Sequence, residues 1–367
     1  MYTLIFGFLS SLILTLALVR YSHLHSRFSD DNQLAGPQKF HVIPVPRIGG
    51  LGIFISLCIA SFVRALQNLD DGFLLFTAIA CSFPAFAIGI TEDISKKIRV
   101  LTRLFVVAIG ALLAIYFLGI RITNLDMLFI DSAIALPVIS IIFTCFAITG
   151  LANAYNIIDG FNGLASMVGI ISLMAIAYVA FRVGDIPMVI MPLALIGSIA
   201  GFFVWNYPRG LIFLGDGGAY LIGFWIAISS ILIIDRNQQI SPWFALIINA
   251  YPVFETLFTI WRRKVHQGKS PGIPDAAHFH SLIYRRLLRW AHAPLQLQVE
   301  KEPTFSTNAK TSPYLWLLSS LAIMPGVLWW NSTWVLQLSF IIFCINYWWI
   351  YKSIVRFKTP KWLKGKS

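Results

Sequence analysis

Apolar residues run along the chain in blocks of about twenty, parted by short polar segments. The blocks fall at 3–19, 48–66, 73–91, 102–120, 133–151, 164–182, 186–205, 211–234, 242–261, 313–330 and 334–351. Each is close to the roughly 20 residues that a helix needs to cross about 30 Å of hydrocarbon. The pattern predicts an all-α, polytopic integral membrane protein with about 11 transmembrane helices. No basic stretch precedes the first block, and no small-residue cleavage site follows it before Arg20 and Tyr21, so it is expected to stay as a helix. Residues 1–351 are expected to form one membrane-embedded domain with a loop over 262–312 inside it, followed by a basic tail over 352–367.

Lys and Arg set the expected orientation. With the N-terminus outside, only Arg64, Arg121, Arg182 and Arg236 fall in outer loops, and every other one of the 28 basic residues faces inward. The C-terminus is then cytoplasmic. The net charge of +12 reads as this topological bias, with an added attraction for anionic lipids or phosphorylated substrates and no call for nucleic acid. Composition agrees: 57% hydrophobic residues, 12% charged residues and a mean hydropathy of +0.75 exclude an ordinary water-soluble domain. Cys58, Cys81, Cys145 and Cys344 sit in apolar blocks without metal-ligand spacing and read as packing residues.

The unusual polar segments share the inner side. In Asn153-Ala-Tyr-Asn156-Ile-Ile-Asp159-Gly-Phe-Asn162-Gly, donors and acceptors recur every third residue between two apolar blocks. Desolvated polar groups need partners, so this ladder reads as a binding surface, or as a hydrated loop that Gly160 and Gly163 would suit. Glu92-Asp93, followed by Lys96, Lys97 and Arg99, suits a hard cation bound to phosphate oxygens, or a base; a charged helix end is the simpler alternative. Gly215-Asp216-Gly217-Gly218 opens a block with glycines that let backbone approach a phosphate. Aspartate there opposes an anion unless it holds a cation, or it caps the helix.

The Pro44-Val-Pro-Arg47-Ile-Gly-Gly entrance to the second block lies on the same side. So does the long loop with Arg262, Arg263, Lys264, a Ser270-Pro-Gly-Ile-Pro breaker, Asp275, His278 and His280. Two histidines two residues apart suit a phosphate grip better than a zinc site without further ligands. Phe279, Ile283, Leu287 and Trp290 recur at helical spacing among Arg285, Arg286 and Arg289, which predicts an amphipathic helix on the headgroups. Glu255, inside an apolar block, is read either as functional or as the partner of an arginine near the helix end. The outer Asp70, Asp71, Asp126, Asp131, Asp185 and Asp235 look like solvated caps.

Asn153-x-x-Asn156-x-x-Asp159-Gly-x-Asn162-Gly, then Gly-Asp216-Gly-Gly, then His278-x-His280, occur in the order found in the polyprenyl-phosphate N-acetylhexosamine-1-phosphate transferases. The chain resembles that family over roughly residues 1–351. The resemblance implies transfer of a sugar 1-phosphate, GlcNAc-1-phosphate as the best choice, from a UDP-N-acetylhexosamine to undecaprenyl phosphate with release of UMP. It also implies Mg²⁺ or Mn²⁺, an active site facing the cytoplasm from the bacterial inner membrane, lipid contacts, and a homodimer among the assemblies known in the family. By position, Glu92 and Asp93 match the family's acidic pair and Asp216 its metal ligand. Asn156, Asp159 and Asn162 would lie around the nucleotide, and Asn153 is expected to bind substrate. Asn206 and Phe213 match a nucleotide-contacting asparagine and a uracil-stacking aromatic, and His278 and His280 the diphosphate-contacting histidines. Arg47, Arg262 and Arg263 are expected to bind substrate phosphates.

Three positions depart from the family pattern: Glu92 and Asn162 stand where aspartate is usual, and Ser281 where a further histidine is frequent. They point away from the peptidoglycan translocase and toward initiation of O-antigen or a similar surface glycan. A secondary transporter or lipid flippase, and a catalytically inactive member, are the competing readings.

Overall fold

The computed structural model describes residues 1–24, 45–266, 278–292 and 309–356. The Ser270-Pro-Gly-Ile-Pro breaker, Asp275 and the tail beyond 356 lie outside the described residues, as do the side chains of Leu287, Arg289 and Trp290. Helices carry nearly all of the described chain. They are α1 (Tyr2–Arg20), α2 (Gly49–Gln67), α3 (Leu69–Ser95), α4 (Val100–Leu118), the short α5 (Leu128–Ile134), α6 (Pro137–Ile158) and α7 (Leu164–Val183). There follow α8 (Ile186–Asn206), α9 (Gly215–Arg236), α10 (Trp243–Ile248), α11 (Ala250–Trp261), a π-turn at Arg262–His266, α12 (Phe279–His292), α13 (Ser312–Leu328) and α14 (Thr333–Val355).

Among the described residues nine helices are long and apolar enough to cross a membrane: α1–α4, α6–α9 and α14. The expected count of eleven differs at two blocks. The 313–330 block forms α13, whose 17 residues fall just short. The 242–261 block is broken at Asn249, whose backbone leaves the helix at φ −114°, ψ 19°. Side chains satisfy the groups that the break exposes. Asn249 donates to the Ala245 carbonyl at 2.9 Å and Ser172 of α7 donates to the Ile248 carbonyl at 2.9 Å. The Tyr155 hydroxyl of α6 lies 3.1 Å from both Asn249 Oδ1 and Ser172 Oγ. Freed backbone groups in a dry interior need such partners.

α9 is apolar all round and buried along nearly its whole length, as a helix without a polar face must be. It packs on α2, α3, α6, α7 and α8. Its first turn is in backbone contact with its neighbours: a Cβ at Gly50 of α2 would lie 2.3 Å from the Gly218 nitrogen, and one at Gly89 of α3 2.5 Å from the Gly217 Cα. α1 runs parallel to α8, with Gly197 against Leu4, Gly201 against Phe8, and Trp205 donating to the Leu12 carbonyl at 3.0 Å. Large apolar side chains such as Phe105, Phe146 and Ile341 stay exposed on the outside of the bundle, where lipid tails would replace water.

The helix ends form two faces. On one, Asp185 accepts from Arg236 at 2.7 and 3.0 Å and from Asn237 at 2.9 Å, Trp243 donates to the Leu125 carbonyl at 2.9 Å, and Ser241 bonds Thr333 at 2.7 Å. Asp185 and Asp71, expected as solvated caps, are instead buried; Asp71 pairs with Arg64 at 3.0 Å. Asp71 is held by an arginine at the end of the preceding helix and Asp185 by one 51 residues further on, at the end of α9, which sequence spacing alone does not disclose. The opposite face collects the ends of α3, α6, α8 and α11 and the starts of α2, α4, α7, α9 and α13.

Candidate active site

On that second face the polar ladder is mostly helix. α6 continues to Ile158, so Asn153 and Asn156 occupy its last two turns and only 159–163 form the turn into α7. Three-residue spacing is what keeps successive polar groups on one helical face. α3 likewise runs beyond its apolar block and takes Glu92 and Asp93 into its last turn.

Those two carboxylates part company. Glu92 accepts the Ile98 N–H at 2.7 Å and closes the turn that follows its own helix, where Lys96 is left-handed at φ 54°. Asp93 points inward and is 3% exposed. Its Oδ1 accepts the Asp216 N–H at 2.9 Å and its Oδ2 the Gly217 N–H at 3.0 Å, so a carboxylate on α3 caps the start of α9. This arrangement requires Gly215, whose φ of +76° and whose Cβ position, 2.1 Å from the Arg47 carbonyl, admit no side chain.

Because Asp93 supplies the cap, Asp216 does not. Its Oδ1 accepts from Arg47 at 3.3 Å and its Oδ2 from Arg103 of α4. The Arg47 Nε also lies 3.8 Å from Asp93 Oδ1. Asp216 and its two arginines retain some solvent exposure, with side-chain values of 13%, 15% for Arg103 and 31% for Arg47. Asp159, the residue that ends α6, joins this cluster electrostatically. Burial pushes its carboxyl up to about 7, with Arg47 pulling it down and Asp216 pushing it further up.

The asparagines spend their amides differently. Asn153 accepts from the Tyr220 hydroxyl at 3.4 Å, and Asn156 is half-buried in the last turn of α6. Asn206 is buried, accepting the Gly163 N–H at 2.6 Å and donating to the Ile212 carbonyl at 2.7 Å. Asn162, also buried, donates to the Pro208 carbonyl at 3.3 Å, while its own carbonyl accepts from Ser312 at 2.7 Å. Both therefore hold loops together around the left-handed Gly163. The Phe213 main chain stitches the segment before α2 to the segment before α9, donating to the Pro46 carbonyl at 2.8 Å and accepting from Gly49 at 3.0 Å. The residue is half-exposed, three positions before Asp216.

The histidine segment docks on the ladder. The His280 ring meets Phe161 edge-on at 5.4 Å, and a Cβ at Gly160 would be 2.8 Å from His280 Nε2. His278 stacks on His280 at 5.2 Å and bonds Glu255 of α11 through Nδ1 at 3.0 Å. Glu255 thus pairs with a histidine and not with an arginine. Arg262 and Arg263 are buried, and Arg262 donates to the Tyr351 hydroxyl. α12 forms as its spacing predicts, with Phe279 and Tyr284 buried and Arg285 exposed.

Among the described residues no three His, Cys, Asp or Glu side chains stand close enough to hold one metal ion between them. The oxygen donors suit a hard cation nonetheless, provided that phosphate oxygens and water complete its shell. Asp216 and Glu92 are the partly exposed donors, Asp216 with its oxygens on Arg47 and Arg103 and Glu92 with Oε2 on Ile98, while Asp93 is buried and occupied by backbone N–H groups. Arg103 was missed as a site residue. Its sequence signal is an arginine in the first turn of an apolar span, where an ionised group calls for a partner.

The sequence profile of glycosyl transferase family 4 matches residues 75–234, which hold Glu92, Asp93, Arg103, the ladder and Asp216. The chain belongs to glycosyl transferase family 4. It is 30% identical over 249 residues to a Bacillus subtilis protein named "Probable undecaprenyl-phosphate N-acetylglucosaminyl 1-phosphate transferase", a match covering 66% of each chain. It is 29% identical over 256 residues to the undecaprenyl-phosphate alpha-N-acetylglucosaminyl 1-phosphate transferase of Thermotoga maritima, covering 69% of this chain and 72% of that one. A third relative, the decaprenyl-phosphate N-acetylglucosaminephosphotransferase of Mycolicibacterium smegmatis, is 29% identical over 280 residues, covering 69% of this chain and 67% of that protein. This family member thus aligns with about two thirds of the length of these relatives. The histidine segment lies beyond the stretch that the family profile matches.

Proposed function

We propose that the chain transfers an N-acetylhexosamine 1-phosphate from a UDP-sugar to a polyprenyl phosphate, undecaprenyl phosphate in the first instance, and releases UMP. The supporting observation is Asp216, set between Arg47 and Arg103 at the open end of α9 with Asp93 and Asp159 beside it. Named relatives act on polyprenyl phosphates and carry GlcNAc 1-phosphate, which makes GlcNAc the first donor to try. Surface-glycan initiation, of O-antigen or a similar polymer, is the pathway role proposed with it.

In this reaction an oxygen of the lipid phosphate forms a bond to the sugar-bearing phosphorus, and the bond from that phosphorus to the bridging oxygen breaks. Several negative charges meet, so positioning and charge neutralisation supply most of the rate. Arg47 and Arg103 would turn from Asp216 to the phosphates. The Asp159 carboxyl, half-protonated near pH 7, can take a proton from a phosphate monoester that arrives with one. His280 rests on the ladder with His278 stacked on it, and the two would grip the diphosphate. Mg²⁺, or Mn²⁺, held by Asp216 with phosphate oxygens, supplies further charge neutralisation when bound.

The face carrying the site is proposed to be cytoplasmic in the bacterial inner membrane, with the start of α1 outside and the end of α14 inside, as the basic residues require. The transporter reading lacks support because the polar clusters lie at helix ends, and the broken helix at Asn249 is sealed by Tyr155 and Ser172. The test is UMP release by protein purified in detergent, given undecaprenyl phosphate and a panel of UDP-sugars, with and without Mg²⁺. UMP that needs both lipid and metal and is lost in Asp216→Ala confirms the transferase and identifies its sugar. Folded protein that turns over no donor overturns it in favour of an inactive member.

A further inference from the structure

Glu255 lies on α11, 1% exposed, and among the described residues its hydrogen-bond and ion-pair partners include no arginine or lysine. An ionised carboxylate so far from water is tolerated only when donors surround it. Four do. Oε1 accepts from His278 Nδ1 at 3.0 Å, from the Phe279 N–H at 3.2 Å and from the Thr259 hydroxyl at 3.4 Å, while Oε2 accepts from the Tyr347 hydroxyl. An ionised carboxylate only accepts, so Nδ1 donates in the His278 contact, and the Thr259 hydroxyl, 3.4 Å from Oε1 and 3.3 Å from that Nδ1, then has only Oε1 to donate to.

The consequence falls on the imidazole. Nδ1 carries the proton, and Nε2 becomes the ring atom left to face other groups. The Phe279 N–H, adjacent along the chain, ties the backbone of the histidine segment to the same oxygen and fixes where the ring starts from. The ring is further held parallel to His280, which rests on Gly160 and Phe161 of the ladder. Three helices, α11, α12 and α14, thereby converge on the one carboxylate that holds this imidazole.

We infer that Glu255 is the positioning residue of His278: it selects the Nδ1–H tautomer and turns Nε2 toward the phosphate-handling face of the site. This rests on the proposed transferase reading, in which His278 contacts the diphosphate. Partners that orient a functional histidine typically matter by about 10–100-fold. Glu255→Ala is expected to lower kcat for UMP release by about that factor, and to lower it no further once His278→Ala is present. Glu255→Gln keeps an acceptor for Nδ1 and restores most of the rate.

The measurement combines this double-mutant cycle with ¹⁵N NMR of histidine-labelled protein in detergent, the His278 signals being assigned by their absence in His278→Ala. Nδ1-protonated His278 in wild type and in Glu255→Gln, together with non-additive losses, supports the inference. Nε2-protonated His278 in wild type overturns it, as do losses that simply multiply, which would mark Glu255 as a packing residue only. The NMR arm needs no turnover. A wild type that uses no donor sinks the transferase reading, and the tautomer then decides the Glu255–His278 pairing by itself.

Discussion

Glu92 and Asp93 are chain neighbours with different tasks because consecutive helical residues point about 100° apart. One closes a turn at Ile98; the other reaches the start of α9. Arg103 shows the reverse case, a residue distant in sequence that the fold brings onto Asp216. If Arg103 turns to the phosphates in the reacting complex, Arg103→Gln should lower kcat/KM for the UDP-sugar by about 10²–10³-fold, the range for loss of one charge-stabilising donor. Arg64→Gln, on the far face, should leave it unchanged. Steady-state UMP release with both variants checks this. Asn206 was expected to contact the nucleotide, and its amide is spent on Gly163 and Ile212. Asn206→Ala should therefore act on stability, at about 1–3 kcal/mol for each buried group left without a partner, read as a lower thermal midpoint in detergent.

Packing between helices at the start of α9 leaves no room for a side chain. A Cβ at Gly89 would meet main-chain atoms of Asp216 and Gly217 at 2.5–2.6 Å, and main chain cannot swing aside as a side-chain tip can. Gly89→Ala should push the Asp216 turn off Asp93 and remove UMP release by more than about 100-fold, given that misplacement of about 1 Å is that costly. Gly150 of α6 is the control, since a Cβ there meets nothing within 4 Å. Gly150→Ala should keep full activity and raise stability by about 0.4–1 kcal/mol, as alanine does at an unstrained helical site. Equal activity in the two variants would show that the contact of α3 with α9 is not what places Asp216.

Across the whole molecule, both faces are held by carboxylate and arginine ties between separate elements: Asp216 with Arg47 and Arg103 on the site face, and Asp185 with Arg236 and Asp71 with Arg64 on the far face. Burial pushes the Asp185 carboxyl up, but the hydrogen bonds from Arg236 and Asn237 outweigh it and hold it below its ordinary value. A depressed carboxyl contributes stability that is complete above about pH 4 and disappears as the pH falls through the lower folded-state value. Wild type should therefore melt above Asp185→Asn at pH 7, and the gap should close below about pH 4. Melting curves followed by tryptophan fluorescence would show it; a gap unchanged down to pH 3 would mean that the pairing contributes nothing.

Hydrophobic periodicity by itself determined the helical membrane architecture, because each span satisfies its own backbone and its apolar length is written in consecutive residues. The motif order likewise disclosed the family, and three-residue spacing placed Asn153, Asn156 and Asp159 on one surface. Only the tertiary structure decided which helix is central, where the block at Asn249 breaks, and what each polar side chain holds. Asp93 capping a helix that begins more than a hundred residues later, Arg103 meeting Asp216, and Glu255 meeting His278 are contacts between separate helices. Local sequence rules extend over a few residues along one element, whereas those partners are chosen by how the helices pack, and that information is spread over the whole interior.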